Sequence, residues 1–396
     1  MLNSPYDFKG GCYFYRNHLP GRYLRKKGHV IREAVLGNTL PDELLNYPDV
    51  VIFSRTYAVD PLAIMRKYKA AGKKVIYEVD DCLWEVNPDN PSAAVATEQR
   101  HQYETLMKEV DAITTTTKVL ADKLRKLNDN IFVCPNGIDL DYFHERPHQN
   151  KELVIGYTGA ASHWADLQLV TQVLAELQKK HPFQFVIMGM TGPPIDDEMY
   201  GYQQIIGRGL QPEKNAYMKS ALKWYEIIKT MNFLHVPFFS PELYGEALAR
   251  CDMDIGIAPL LDNNFNHSKS CIKFYEYATM GTVTLASKVL PYKNEVNYLA
   301  KNKFKDWYKK LERLIVDEPF REKLLAEQRK WVRDNRLMSE TVKSWEKAID
   351  IGSKATDTYI TEQKDEQECA SCVPDLNNGN SDDVSNASAN TETKRI

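Results

Sequence analysis

Neither sign of charge prevails in this chain. Its 396 residues carry 51 Lys and Arg against 54 Asp and Glu, a formal net charge of −3, so no global basic field exists to hold nucleic acid or an anionic membrane. No run of about 18 apolar residues, the length a bilayer span requires, occurs anywhere. The polar start MLNSPYDFKGG also lacks the apolar core of a secretory signal. These absences lead to the expectation of a soluble, cytoplasmic protein without a transmembrane segment. Cysteine is sparse and scattered, at Cys12, Cys82, Cys134, Cys251, Cys271, Cys369 and Cys372. An odd number without framework spacing fits reduced thiols, not a disulfide scaffold. Cys369 and Cys372 have the spacing of half a zinc site or of a redox motif, but no second pair accompanies them.

The length allows two domains with cores of their own. From Gly11 to about Pro147 apolar runs alternate with helical stretches: a helix over Tyr13 to Lys27, strands at His29 to Glu33 and Val50 to Ser54, a helix from Pro61 to Ala71 and a strand at Lys74 to Val79. A helix over Ser92 to Val110, a strand at Ala112 to Thr115, a helix over Lys118 to Leu127 and a strand at Ile131 to Cys134 complete the series. Strands separated by helices predict a parallel sheet covered on both faces. So little precedes Gly10 and Gly11 that either the first strand is very short or the true start lies upstream. The polar stretch His144 to Asn150 reads as a linker. A second alternating series then starts at Leu153 to Tyr157 and continues with a helix over Asp166 to Lys179. Its strands are expected at Phe183 to Met188, Phe233 to Val236, Ile255 to Pro259 and Val283 to Ala286. Between Thr191 and Met231 a Gly-, Pro- and Tyr-rich insert interrupts it. From Lys301 to Ile351 the chain is helical, with Trp307, Trp331 and Trp345 as packing anchors. Beyond Gly352 apolar residues give way to Asp, Asn, Ser and Thr, which predicts disorder. The expected architecture is α/β: two Rossmann-like doubly wound domains facing a cleft, over 1–147 and 151–351, with closing helices and a polar tail at 352–396.

Four short segments could carry chemistry. Ser270 to Met280 lacks Gly and Pro and reads as a helix closed by Gly281. On that helix Lys269, Lys273 and Glu276 would lie within roughly 60° of one another. Two cations and an acceptor near a helix end suit a diphosphate with a ribose attached, although an ordinary solvated charge cluster has the same spacing. Ile155 to His163, IGYTGAASH, is a strand running into a small-residue turn; its free amides, Gly159 among them, could hold a phosphate. His163 there reads more readily as a capping or surface residue than as a catalyst. Tyr77 to Trp84 places Asp80 and Asp81 at the carboxyl end of a central strand, where ligands of open sheets sit and where a carboxylate could bind sugar hydroxyls or act as a base. Gly10 and Gly11 precede a long helix, with Cys12, Tyr15 and Arg16 close by.

Together these segments resemble the GT-B type glycosyltransferases, and among them the large retaining group called family 4 or group 1. The resemblance runs over most of the chain. Its most specific part is PLxxxxFNxxKSxxKxxEYxxxG, which includes Asn266, Lys269, Ser270, Lys273 and Glu276 and looks like a donor-site signature. VxYExDDxLW, TxxxADKL followed by CPNGID, and IGYTGAASHxxDL support it. The resemblance implies that Glu276 holds the donor ribose and that Lys269 or Lys273 meets the diphosphate and stabilises the departing nucleotide. Ser268 stands where the first glutamate of the family's pair would be. TGAASHWADL lacks the Arg and Lys that many relatives carry, and His18 and His101 are the candidates for the family's active-site histidine.

The expectation is therefore a transferase taking a sugar from a nucleoside diphosphate sugar, with no metal or other cofactor. Lys269, Lys273 and Asp80 are its catalytic candidates, and Gly159, Asn266, Ser270, Lys269, Lys273 and Glu276 its donor ligands. Gly11, Arg16, Asp80 and Asp81 are candidates on the acceptor side, where a glycan, a lipid-linked sugar, a protein or a modified DNA base could bind. An epimerase of nucleotide sugars and a catalytically idle sugar- or nucleotide-binding protein share the same architecture.

Overall fold

A computed structural model of the chain describes residues 1–3, 10–35, 42–54, 61–86, 100–145, 149–160, 163–189, 223–237 and 239–350. The polar tail, residues 92–99 of an expected helix, most of the insert after Thr191, and Ala161 and Ser162 of the small-residue turn lie outside the described residues. Within them the alternation becomes two six-stranded sheets, parallel at every pairing. The first contains β1 (Leu2–Asn3), β2 (Ala34–Val35), β3 (Val50–Ser54), β4 (Lys74–Val79), β5 (Ala112–Thr115) and β6 (Ile131–Val133), in the order β2-β1-β3-β4-β5-β6. The second contains β7 (Val154–Gly159), β8 (Gln184–Gly189), β9 (Phe233–Val236), β10 (Ile255–Ala258), β11 (Val283–Ser287) and β12 (Leu299–Ala300), in the order β12-β11-β10-β7-β8-β9. Continuous apolar runs such as those of β3, β10 and β11 suit strands covered on both faces.

One expected strand does not form. His29 to Glu33 is irregular, and the edge of the first sheet is Ala34–Val35 instead. The backbone groups of this segment are taken elsewhere: the Arg25 guanidinium donates to the Ile31 carbonyl at 3.0 and 3.1 Å, and the amino terminus donates to that of Arg32 at 2.8 Å. The first described strand is two residues long. The helix after it runs from Gly11 through Lys26, with a π-helical middle at Phe14–His18.

Arg16 on this helix is almost fully buried. Its guanidinium donates to both carboxylate oxygens of Glu78 in β4, at 2.6 and 3.1 Å. It also donates to the Cys134 carbonyl at 2.6 Å and to Asn136 Oδ1 at 2.9 Å, while its carbon lies 4.8 Å from the centre of the Trp345 ring. A buried cation with this many acceptors is a brace. It ties the first helix to the middle of the first sheet, to the segment leaving that sheet, and to the last described helix, Met338–Ile349. That last helix packs with Phe14, Leu19, Ile76 and Ala112, so the chain returns to its first sheet before it ends. Trp307 is buried beside the second sheet with Leu167 and Leu174, and Trp331 stacks on Tyr275.

One glycine positions the site. The Tyr277 ring lies flat on β10 over Gly256, where a Cβ would come within 2.3 Å of it. Its hydroxyl thereby reaches the Thr158 amide at 2.8 Å, fixing the Ile272–Met280 helix against the carboxyl end of β7. The helix closes at Gly281, whose φ of 88° is the left-handed conformation that favours glycine.

Replacing Arg16 by Met leaves Glu78 buried without its cation. The expected loss is about 3–5 kcal/mol, read as a lower urea midpoint, whereas Lys343→Met at an exposed pair with Glu340 should cost under about 1 kcal/mol. Equal, small effects of the two changes would contradict the brace.

Candidate functional site

In the second sheet the strand order reverses between β7 and β10, and in open parallel sheets the crevice beyond such a pair of strand ends is where ligands sit. Three segments meet there. β7 leads through Gly159 to the Trp164–Lys180 helix, β10 leads through Pro259 to the Asn264–His267 helix, and the Ile272–Met280 helix follows. Asp166 joins the first two. One of its oxygens accepts from the Leu261 amide at 2.7 Å and from Asn266 Nδ2 at 3.3 Å; the other accepts from His163 Nδ1 at 2.7 Å. Asn266, buried, also donates to the Leu261 carbonyl at 3.0 Å, so it shapes the loop.

The two lysines do not share a helix face. Asn263 caps a separate short helix by accepting from the Asn266 amide, and the next helix begins only at Ile272, which leaves Lys269 in the irregular link between them. Tertiary partners hold that link open. The Thr117 hydroxyl donates to the Ser268 carbonyl at 2.9 Å and Asn136 Nδ2 to Ser270 Oγ at 2.8 Å, both from the first half of the chain. Lys269 Nζ lies 3.4 Å from Asp81 Oδ1 and 4.4 Å from the centre of the Phe265 ring.

Lys273 is on the helix, with its Nζ 5.6 Å from the centre of the Tyr157 ring. Among the described residues it donates no hydrogen bond and belongs to no ion pair. Burial holds its pKa below the ordinary lysine range and the Lys269 charge adds to this, while Glu276, Asp166 and Asp81 oppose it. The buried Tyr157 hydroxyl and Ser268 Oγ likewise have no hydrogen-bond partner among the described residues. A partly desolvated ammonium that has no acceptor among the described residues is available to an anionic ligand.

Glu276 faces both halves. Tyr15, on the first helix, donates to Oε1 at 2.5 Å, and Tyr244 donates to Oε2 at 3.0 Å. Burial pushes its carboxyl up to about 6, against the lowering effect of the Tyr15 hydroxyl, Lys273 and Tyr244.

Asp80 and Asp81 directly follow β4, as expected, and Asp81 meets Lys269 across the cleft. Gly11 is exposed and opens the first helix. Arg16 is instead the buried brace described above. His18 Nε2 is 2.9 Å from the Tyr142 hydroxyl, and His101 is exposed. Among the described residues no group of three or more His, Cys, Asp or Glu could hold a metal ion, and no helix is long and apolar enough to cross a membrane. Tyr15, expected beside the Gly10–Gly11 turn, instead reaches Glu276. Tyr244 and the His163–Asp166 pair are candidate site residues that sequence reasoning missed or undervalued, and of these only the pair carried a signal: a histidine and an aspartate three apart, directly after a strand and turn.

No family model matches the sequence, and no curated protein matches it. Solved structures do. An α-glucosyltransferase in complex with UDP-glucose and DNA containing an abasic site superposes with a TM-score of 0.59 at 11% identity, over 88% of this chain and 98% of that one. A glycosyltransferase from Rickettsia africae gives 0.58 at 12% identity, over 88% and 97%. A mutant of TarM from S. aureus, in complex with fondaparinux, α-GlcNAc-glycerol and UDP, gives 0.52 at 12% identity, over 76% of this chain and 55% of that one. The chain therefore spans about half the length of TarM. It has the GT-B fold. In a GT-B protein the cleft lies between two Rossmann-like halves, and here Asp81, Thr117, Asn136 and Tyr15 of the first half meet the 268–276 segment of the second.

The raised pKa of Glu276 sets a pH dependence. The folded state binds this proton more tightly than the unfolded chain, whose carboxyl titrates near 4.5, so stability falls as pH rises from 4.5 to about 6, by about 2 kcal/mol. Glu276→Gln should remove that contribution from the unfolding free energy measured across this window. An unchanged slope would contradict the buried, weakly acidic carboxyl.

Proposed function

We propose that the protein is a glycosyltransferase that moves a sugar from a nucleoside diphosphate sugar to an acceptor hydroxyl in the cleft. Residues 151–351 bind the donor, and residues 1–147 face the acceptor. The observation that carries this reading is the half-buried Lys273 ammonium, which stands beside the β7–β10 crevice without a hydrogen bond or ion pair among the described residues. The likeness to structures solved with UDP and UDP-glucose supports it.

In such a transfer the bond from the anomeric carbon to the diphosphate oxygen breaks, the carbon becomes cation-like, and negative charge grows on the departing oxygen. Lys273, with Lys269 and the free amides at the start of the Trp164–Lys180 helix, supplies fixed positive charge there. Gly159 lets the diphosphate approach the backbone. Glu276 accepts ribose hydroxyls in place of a tyrosyl hydroxyl. Asp80 and Asp81, on the opposite wall, meet the acceptor. Because the lysines provide the charge, the scheme works without a metal. Retention of anomeric configuration follows from the family resemblance alone.

A modified base in DNA is a second acceptor reading, favoured by the likeness to the DNA-bound α-glucosyltransferase. Transfer of labelled sugar to duplex DNA carrying hydroxyl-bearing bases, compared with transfer to glycans, distinguishes the two. Rearranged donor without any acceptor would indicate an epimerase, and binding without turnover an idle binding protein.

Lys273→Met should lower donor kcat/KM by about 10²–10³-fold while leaving the thermal midpoint nearly unchanged, because the half-buried ammonium makes no hydrogen bond or ion pair among the described residues. Glu276→Ala should also weaken donor use. Normal turnover in both variants would show that the donor binds elsewhere.

A further inference from the structure

The TGAASHWADL segment contains no Arg or Lys, yet it lies where the diphosphate of the proposed donor would meet the second sheet. His163 is its only titratable group besides Asp166. We propose, resting on the donor reading above, that His163 is a ligand of the donor diphosphate and takes up a proton as that diphosphate binds.

The geometry dictates the direction. Asp166 is held in its ionised form, and as a carboxylate it can only accept. Both its oxygens are occupied, one by the Leu261 amide and Asn266 and the other by His163 Nδ1 at 2.7 Å. The imidazole proton therefore sits on Nδ1, and in the neutral ring Nε2 carries the lone pair. Two cations act on this ring, Lys273 on the Ile272–Met280 helix and, more weakly, Lys269 in the link before that helix; the bond to Asp166 on its own helix opposes them. Burial and Lys273 together hold the His163 pKa below the ordinary histidine range, despite the bond to Asp166. Asp81 and Glu276 lie beyond, beside the two lysines.

Without an anion, then, the imidazole is neutral. A neutral Nε2 lone pair would repel a phosphate oxygen, whereas an imidazolium would donate to it. A diphosphate beside Lys269 and Lys273 also cancels the charge that suppresses protonation, so the histidine pKa rises on binding. The site is suited to such a ligand independently of His163: the fully buried Tyr157 hydroxyl and Ser268 Oγ have no hydrogen-bond partner among the described residues, and the half-buried Lys273 makes no hydrogen bond or ion pair there.

The sign follows from linkage. Because the bound state holds the proton more tightly, affinity is full below the free pKa of His163. It then falls by at most about tenfold per pH unit until the bound pKa is passed. Nucleotide sugars suit the test because both phosphates are fully ionised near neutrality and take up no proton themselves. UDP-glucose, dTDP-glucose and GDP-mannose would be titrated calorimetrically into the full chain at several pH values between 6 and 8, in two buffers of different ionisation enthalpy.

With the sugar nucleotide that binds, the wild-type protein should take up as much as one proton, and its affinity should fall as pH rises. His163→Gln, which can still donate a hydrogen bond but cannot titrate, should bind with no uptake and a flat profile above about pH 7, where the Glu276 carboxyl is ionised. Wild-type binding without proton uptake would overturn the proposal and leave the donor reading intact, as would undiminished uptake in the Gln variant. Failure of all three sugar nucleotides to bind would overturn both.

Discussion

A half-buried lysine ammonium without a hydrogen-bonding acceptor among the described residues is the constraint around which the cleft is arranged. Lys273 is held over the Tyr157 ring, with Glu276 one turn along its helix and Asp166 across the crevice as the negative charges nearest in effect. Neither carboxylate forms an ion pair with it, because each is already committed: Asp166 to the Leu261 amide, Asn266 and His163, Glu276 to Tyr15 and Tyr244. These commitments leave the cation electrostatically supported but geometrically open. Its position depends on the Ile272–Met280 helix, which is seated on β10 by the close approach of Tyr277 to Gly256.

The same commitments make the site a property of both halves. The Tyr15 hydroxyl reaches Glu276 from the first helix, and that helix is itself pinned to the first sheet by Arg16 and Glu78. Arg16 also grips Asn136, whose amide donates to Ser270 just before the Ile272–Met280 helix. A side-chain path thus runs from the middle of the first sheet to the start of the lysine-bearing helix. Changes in the first half that never touch a donor should therefore still be felt there.

Much of this was legible in the sequence. Apolar runs of four to six residues alternating with helices predicted two parallel sheets, and Gly281 marked the end of a helix where its left-handed backbone now appears. The sequence also placed Lys273 and Glu276 on one helix face beside a strand end. What it could not resolve depended on distant partners. Lys269 looked helical because no Gly or Pro interrupts the segment, but Thr117 and Asn136, more than a hundred residues earlier, draw Ser268 and Ser270 out of the helix. Arg16 read as an acceptor-side residue because it follows the Gly10–Gly11 turn at the start of a helix; Glu78, 62 residues away, pairs with it instead. The expected strand at His29 to Glu33 yielded to side-chain and terminal donors that no local pattern encodes. His163 and Asp166, three apart, form the exception: their pairing is local, and only its burial beside two lysines gives it chemical weight.

In the proposed mechanism Lys273 and the start of the Trp164–Lys180 helix hold the diphosphate of a nucleotide sugar. A crystal structure of the protein with whichever nucleotide sugar binds it most tightly tests this most directly. A phosphate oxygen is expected within hydrogen-bonding distance of Lys273 Nζ, with the phosphates over the turn that follows Gly159. A diphosphate bound elsewhere, with Lys273 still without an acceptor, would contradict it.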